Sequence, residues 1–220
     1  MIKDNLLKIK ESLPNDVRLI AVSKTKPISL IKEAYGAGQL DFGENKVQEL
    51  INKQPELSSD IRWHMIGHLQ SNKVKYIAPF IHMIHGVDSF KLLNEINKQG
   101  KKHDRIINCL LQFHIAQEST KFGLDYESAK EIIENELFIE FKNVCICGVM
   151  GMATFTHQEE QVLSEFEYLH KIFIKLAKHP SISNSFKTVS MGMSNDYKLA
   201  INKGSNMVRI GSKIFGERIN

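Results

Sequence analysis

The 220-residue chain has only three cysteines, Cys109, Cys145 and Cys147. An odd number at irregular spacing excludes a disulfide-built scaffold. Cys145 and Cys147 lie two apart on a predicted strand, so they share one face and read as small core residues rather than metal ligands. Long apolar runs are also missing. No stretch approaches the roughly 20 residues that span a bilayer, and the N-terminus lacks the apolar core of a signal peptide. No membrane association and a cytoplasmic location are therefore expected. Charge of one sign is scarce too: 29 basic against 25 acidic residues leave a net +4. The densest basic run, 98–105, reads as a solvated loop, and no arginine–aromatic interleaving points to nucleic acid. There is no linker rich in proline, glycine or serine and no internal repeat, which predicts one domain over residues 1–220. A Gly-x-Ser-x-Gly elbow is absent, and the glycines at 148 and 151 are too close for a dinucleotide fingerprint.

What is present is a regular alternation of short apolar runs with amphipathic segments. An N-terminal helix over 2–13 carries Ile2, Leu6, Ile9 and Leu13 on one face. Strands are predicted at 17–23, 41–44, 61–66, 81–87, 105–115, 144–150, 188–193 and 207–211. Helices are predicted at 27–37, 45–53, 69–76, 90–99, 125–141, 158–178 and 194–203, with a last one from Ser212. Strand–helix alternation implies parallel strands with helices outside them, and eight units favour a closed α/β barrel, the (β/α)8 TIM type, with an extra N-terminal helix.

Within that fold, Arg18-Leu-Ile-Ala-Val-Ser-Lys24-Thr-Lys26-Pro27 draws attention. A buried strand runs straight into a lysine. Lys24 either reaches solvent at an ordinary polar strand end or sits at the mouth of a pocket. In a pocket, desolvation favours the neutral amine and lets it condense with an aldehyde. Active residues of such barrels lie at the C-terminal strand ends, where Lys24, Asn45, His64, Gly67, Met150, Ser194, Arg209 and Gly211 converge. Met191-Gly192-Met193-Ser194 and Arg209-Ile210-Gly211-Ser212 each lead into a predicted helix. Helix starts present free backbone N–H groups and suit phosphate, although serine is also an ordinary N-cap. Two such turns opposite a lysine point to a phosphorylated aldehyde, with pyridoxal 5'-phosphate (PLP) as the candidate. His64 and His68 have helical metal-ligand spacing, but Gly67 lies between them in a strand-to-turn segment and no third ligand is evident. The methionines at 150, 152, 191 and 193 read as core filler.

Several segments together carry a family resemblance. They are Ala21-Val-Ser-Lys24-Thr-Lys26-Pro27, Phe42-Gly-Glu-Asn45 with Val47-Gln-Glu49, Trp63-His64 with Ile66-Gly67, and Leu69-Gln-Ser-Asn72-Lys73. Ser190-Met-Gly-Met-Ser194 and Val208-Arg209-Ile-Gly211-Ser212 with Ile214-Phe-Gly216 complete the set. The chain resembles the pyridoxal phosphate homeostasis proteins, which are shaped like the N-terminal barrel domain of alanine racemase. The resemblance implies that Lys24 holds PLP as an internal aldimine and that Lys26 is a neighbour, not the anchor. It implies that Ser194, Gly211 and Ser212 hold the phosphate, that Arg209 faces the pyridine nitrogen, and that Asn45 and Asn72 line the pocket. The chain departs from the family pattern at Lys46, Met65 and His68 and over the segment Met150-Gly-Met-Ala-Thr154, all expected to border the pocket.

The resemblance also bears on catalysis. Arginine is effectively always charged, so Arg209 disfavours a second positive charge on the pyridine nitrogen and weakens the ring as an electron sink. Alanine racemase, which shares that arrangement, has a β-rich second domain supplying a tyrosine base. No such domain follows here, and two-base racemisation needs groups on both faces of the substrate. Tyr35 and Tyr197 fall in predicted helices and read as packing residues. The expectation is a monomeric, non-enzymatic PLP protein that buffers the cofactor or hands it to PLP-dependent apo-enzymes. A small PLP-dependent amino-acid racemase is the alternative.

Overall fold

The computed structural model describes residues 1–118 and 122–217. Its strands are β1 Arg18–Val22, β2 Asp41–Glu44, β3 Arg62–Met65, β4 Met83–Val87, β5 Ile107–Phe113, β6 Val144–Gly151, β7 Thr188–Ser190 and β8 Met207–Ile210. All neighbours are parallel, and β8 returns to pair with β1, so the sheet closes into an eight-stranded barrel. The helices are α1 Ile2–Glu11, α2 Ile28–Gly36, α3 Val47–Lys53, α4 Val74–Ile77, α5 Phe90–Lys102, α6 Tyr126–Glu134, α7 Glu136–Ile139, α8 Glu159–Leu176, α9 Tyr197–Asn202 and α10 Ser212–Phe215. The expected (β/α)8 architecture with an extra N-terminal helix is therefore the fold. Helix α1 buries Ile2, Leu6 and Ile9 and packs against α2 and α10. No helix among the described residues is long and apolar enough to cross a membrane.

The strands read as near-continuous apolar runs because both of their faces are covered. Outward residues such as Phe42, Trp63, Met65, Leu111, Val149 and Val208 join the helices in one continuous core. Inward residues form a smaller cluster of Ile20, Met83, Leu110, Cys147, Met150 and Met207. The inward positions that are polar instead, Asp41, His64, His85, Ser190 and Arg209, are all buried. Those polar exceptions position the chemistry described below.

Three elements differ from their sequence-based expectation. The helix predicted over 125–141 is split, because Asn135 takes an extended conformation (ψ 128°) and its side chain accepts from the Leu137 N–H to cap α7. The segment 69–76 begins as a 3-10 turn at Ser71–Lys73 before α4. The strand predicted over 188–193 stops at Ser190, since Gly192 at φ 93° turns the chain, and α9 then starts at Tyr197 rather than Ser194.

Gly148 marks the tightest strand contact. The β5–β6 register slips between Cys109–Ile146 and Leu110–Gly148, and Gly148 takes φ 154° with its missing side chain aimed into the Thr188 backbone. Gly148→Ala should destabilise the barrel by about 2 kcal/mol or more through backbone strain and overpacking. Chemical denaturation measures this, and a loss under about 0.5 kcal/mol would contradict the stated role of the bulge.

Candidate functional site

A cavity of about 540 Å3 opens at the C-terminal rim of the barrel. Lys24 after β1, Asn45 after β2, Ser194 after β7, and Arg209, Gly211 and Ser212 around the end of β8 all line it. Asn72 does not; it is exposed in the Ser71–Lys73 turn. The remaining wall is largely apolar, with Val22, Ile66, Met152, Phe122, Phe155 and Met193. Two methionines that read as core filler, Met152 and Met193, are thus wall residues, while Met150 and Met191 are buried in the core.

The turn carrying Lys24 is held from below. Ser23 is fully buried and its hydroxyl donates to Glu44 Oε1 at 2.6 Å. Lys53, the last residue of α3, donates from Nζ to the Ser23 carbonyl at 2.8 Å, to Glu44 at 2.8 Å and to Glu49 at 2.6 Å. Glu49 in turn accepts from the Thr25 N–H, and Thr25 sits at φ 65°. The residues on both sides of half-buried Lys24 are therefore fixed by one ion-pair network. Burial pushes the Glu44 carboxyl up, and the hydrogen bonds from Lys53 and Ser23 oppose that rise. Lys26 is committed elsewhere: its Nζ donates to the carbonyls of Gly216 and Glu217 at 3.0 and 2.8 Å.

On the neighbouring strand β8, the Gly211 N–H donates to Ser194 Oγ at 3.2 Å, which ties the β7 and β8 turns together beside the β1 end. Ser194, Asn195 and Ser212 line this part of the cavity, and their backbone N–H groups donate to no acceptor among the described residues. Asp196 also lines it, with its carboxylate already accepting from the Met193 N–H.

Arg209 forms the floor. It is buried, with Nη1 donating to the Ser190 carbonyl and hydroxyl at 2.8 and 2.7 Å and Nη2 to the Gly151 carbonyl at 3.0 Å. Burial lowers its pKa to about 10, so it stays charged at neutral pH. From Ser190 a hydrogen-bonded run continues down the barrel. Ser190 Oγ meets His85 Nδ1 at 3.2 Å, His85 Nε2 meets His64 Nδ1 at 2.9 Å, and His64 Nε2 meets Asp41 Oδ1 at 3.0 Å. Burial works against charge on Asp41, but the bonds from His64 and Arg62 outweigh it and hold its pKa down to about 2. Burial also lowers the pKa of both histidines, which keeps the rings neutral. An ionised carboxylate only accepts. His64 therefore donates from Nε2, its Nδ1 accepts from His85, and His85 accepts from Ser190. Every proton in the run points from Arg209 towards Asp41.

Residues 1–219 match the family model described as alanine racemase, N-terminal domain. The pyridoxal phosphate homeostasis protein of Aquifex aeolicus is 37% identical, over 93% of this chain and 88% of that protein. Its human counterpart is 39% identical, over 91% of this chain and 76% of that protein. This chain belongs to the pyridoxal phosphate homeostasis protein family. Among solved structures, PipY of Synechococcus elongatus, determined with PLP bound, has a TM-score of 0.88 at 33% identity, covering 98% of this chain and all (100%) of that one. Alanine racemase from E. faecalis shares the barrel fold, with a TM-score of 0.74 at 18% identity and 58% of that chain covered.

Of the departures from the pattern of the pyridoxal phosphate homeostasis proteins, Met152 lines the cavity, and so does His68. His68 stacks on Phe122 with ring centroids 4.4 Å apart and lies 3.2 Å from Asp88. Lys46 is exposed ahead of α3, and Met65 points outward into the core, so neither lines the pocket as expected. Tyr35 bonds Asp60, and buried Tyr197 meets Ser12, both away from the cavity. His64 and His68 do not converge, since one is inside the barrel and the other on its rim.

Lys53→Met would leave Glu44 buried without its counter-charge. The loss should be about 3 kcal/mol at neutral pH. Without Lys53 the Glu44 pKa in the folded state rises further above its unfolded value. Stability linked to Glu44 is then present at low pH and lost as pH rises through the folded value. The deficit relative to the parent should therefore shrink on acidification, as denaturant titrations at neutral and mildly acidic pH would show; a constant deficit would contradict the pairing.

Proposed function

We propose that this chain, as a single barrel domain, holds PLP at the rim cavity and buffers or delivers it without using it catalytically. The observation that carries this reading is one cavity lined both by Lys24 and by Ser194, Asn195 and Ser212, whose backbone N–H groups donate to no acceptor among the described residues. The volume suits a small cofactor, the amine suits its aldehyde, and the N–H groups suit its phosphate. Bound PLP supplies an electron-withdrawing ring that can stabilise negative charge at a substrate carbon. Lys24 would anchor the aldehyde at Nζ, Ser194, Gly211 and Ser212 would hold the phosphate, Asn45 would border the ring, and Arg209 would face its nitrogen. The PLP-bound state of PipY, at 33% identity over nearly the whole chain, supports the same reading.

The non-catalytic part rests on what surrounds Lys24. Arg209 presents fixed positive charge and donates to Ser190 and Gly151, so it offers no acceptor for a proton on the ring nitrogen. Among the described residues, the titratable lining groups besides Lys24 and Arg209 are Lys26, His68 and Asp196. Lys26 is tied to two carbonyls, Asp196 to the Met193 N–H, and His68 lies beside Asp88. A two-base exchange at a substrate carbon needs a second proton carrier facing Lys24, and these residues are engaged elsewhere. Phe122, Phe155 and Met193 rim the mouth and are exposed, which favours hand-over of PLP to apo-enzymes. A cytoplasmic monomer is the proposed working form, with Cys109, Cys145 and Cys147 as free thiols.

Protein loaded with PLP should absorb at about 420 nm, and Lys24→Ala should lose that band and its fixation by borohydride. An unchanged band in the variant would overturn Lys24 as the anchor. Loaded protein incubated with each L-amino acid should yield no D-form; clear turnover would favour the racemase reading instead.

A further inference from the structure

The opposite, N-terminal mouth of the barrel carries a second cluster that the rim cavity does not use. Asp41 opens β2, His64 lies in β3, and His82 immediately precedes β4, so three neighbouring strands bring them together. One ligand atom from each residue, a carboxylate oxygen and two imidazole nitrogens, lies within 4.8 Å of the other two. His64 Nε2 and Asp41 Oδ1 are already 3.0 Å apart. Two donors on one tetrahedral ion, each bonded at about 2 Å, stand about 3.3 Å from one another. His82 needs to close by at most about 1.5 Å to join them.

His82 is the unexplained member. Its ring lies 5.2 Å from that of His64, centroid to centroid, yet makes no hydrogen bond among the described residues. It is half-buried, which leaves the cluster open to solvent on one side. The other two residues already have the outer support that metal ligands usually have. His64 is oriented through Nδ1 by His85, and Asp41 is gripped by Arg62.

We propose that Asp41 Oδ1, His64 Nε2 and one His82 ring nitrogen bind a single divalent transition-metal ion, with a fourth position open at the barrel mouth. Two imidazoles and one carboxylate suit Zn2+, Co2+ or Ni2+. They do not suit Mg2+ or Ca2+, which take oxygen ligands. Arg62 donates to both carboxylate oxygens, from Nε to Oδ1 and from Nη2 to Oδ2, so the ion would share Oδ1 with Arg62, whose positive charge tempers the affinity. Binding also has a reach beyond the mouth. His64 must present a lone pair at Nε2, so its ring carries the proton at Nδ1 and donates it to His85. That ring then donates to Ser190, which holds Arg209. Both imidazoles stay neutral, and the links of His64 and His85 reverse their direction, while Arg209 still donates to Ser190 and the Ser190 hydroxyl hydrogen turns away from His85.

Titration of the metal-stripped full chain with Co2+ and then Zn2+ tests the site without any cofactor, so its outcome is independent of the proposed function. The expected result is one ion per chain and a visible Co2+ ligand-field band that Zn2+ displaces. His82→Ala should weaken binding roughly tenfold or more, and Asp41→Asn should do the same. His82→Ala should keep the parental melting temperature without metal, because His82 makes no hydrogen bond that the change would break. Absence of saturable binding by the parent, or undiminished binding in His82→Ala, overturns the proposal. Binding lost in Cys147→Ser but kept in His82→Ala places the ion at the thiols and overturns it as well.

Discussion

A buried charge pair, Glu44 with Lys53, sets the geometry on which the rim cavity depends. Taking both groups out of water is costly, and the attraction between them offsets that only when the remaining donors and acceptors are also matched. Here nearly all of them are. Lys53 directs its protons to two carboxylates and to the Ser23 carbonyl, Glu44 accepts from the Ser23 hydroxyl, and Glu49 accepts from the Thr25 backbone. The network joins the ends of β2 and α3 to the turn after β1. It specifies one backbone path around Lys24. An apolar replacement of the same volume would pack equally well but would leave the turn's polar groups unmatched.

The barrel interior divides into an apolar patch, formed mainly by β1, β4, β5, β6 and β8, and a polar run through Arg209, Ser190, His85, His64 and Asp41. The run begins at a fixed cation and ends at an ionised carboxylate, which suits a directed chain of neutral donors between them. Buried polar groups in such a chain polarise one another, and each is satisfied. The same chain fixes the tautomer of both histidines and the orientation of the serine beneath Arg209.

Features local in the sequence were the legible ones. Strand–helix alternation revealed the barrel, because each βα unit carries its own pattern. Lys24 and the turns at Ser194 and Gly211–Ser212 stood out because they follow apolar runs directly. Asn72 was misplaced, since family pattern alone does not say which way a residue in a short 3-10 turn faces. Glu44 and Lys53 gave no signal: their pairing is between the ends of a strand and a helix, with no spacing rule to mark it. The partners of His64 were hidden for a related reason. His64 and His68 share a helical spacing but no helix, whereas the true neighbours of His64 lie about 20 positions away on adjacent strands. Asn135 and Gly192 redirected two helices through backbone conformations that periodicity does not register.

Closure of the barrel has a consequence for biosynthesis. Lys24 follows the first strand and Arg209 belongs to the last, and the two strands pair with each other. Lys26 then reaches the carbonyls of Gly216 and Glu217, near the end of the described chain. Contacts this distant in sequence form late, after the intervening loop entropy has been overcome. On the ribosome, a nascent chain that has not yet exposed β8 has only one wall of the cavity. A complete cavity therefore exists only in molecules that have been synthesised and folded through their final strand.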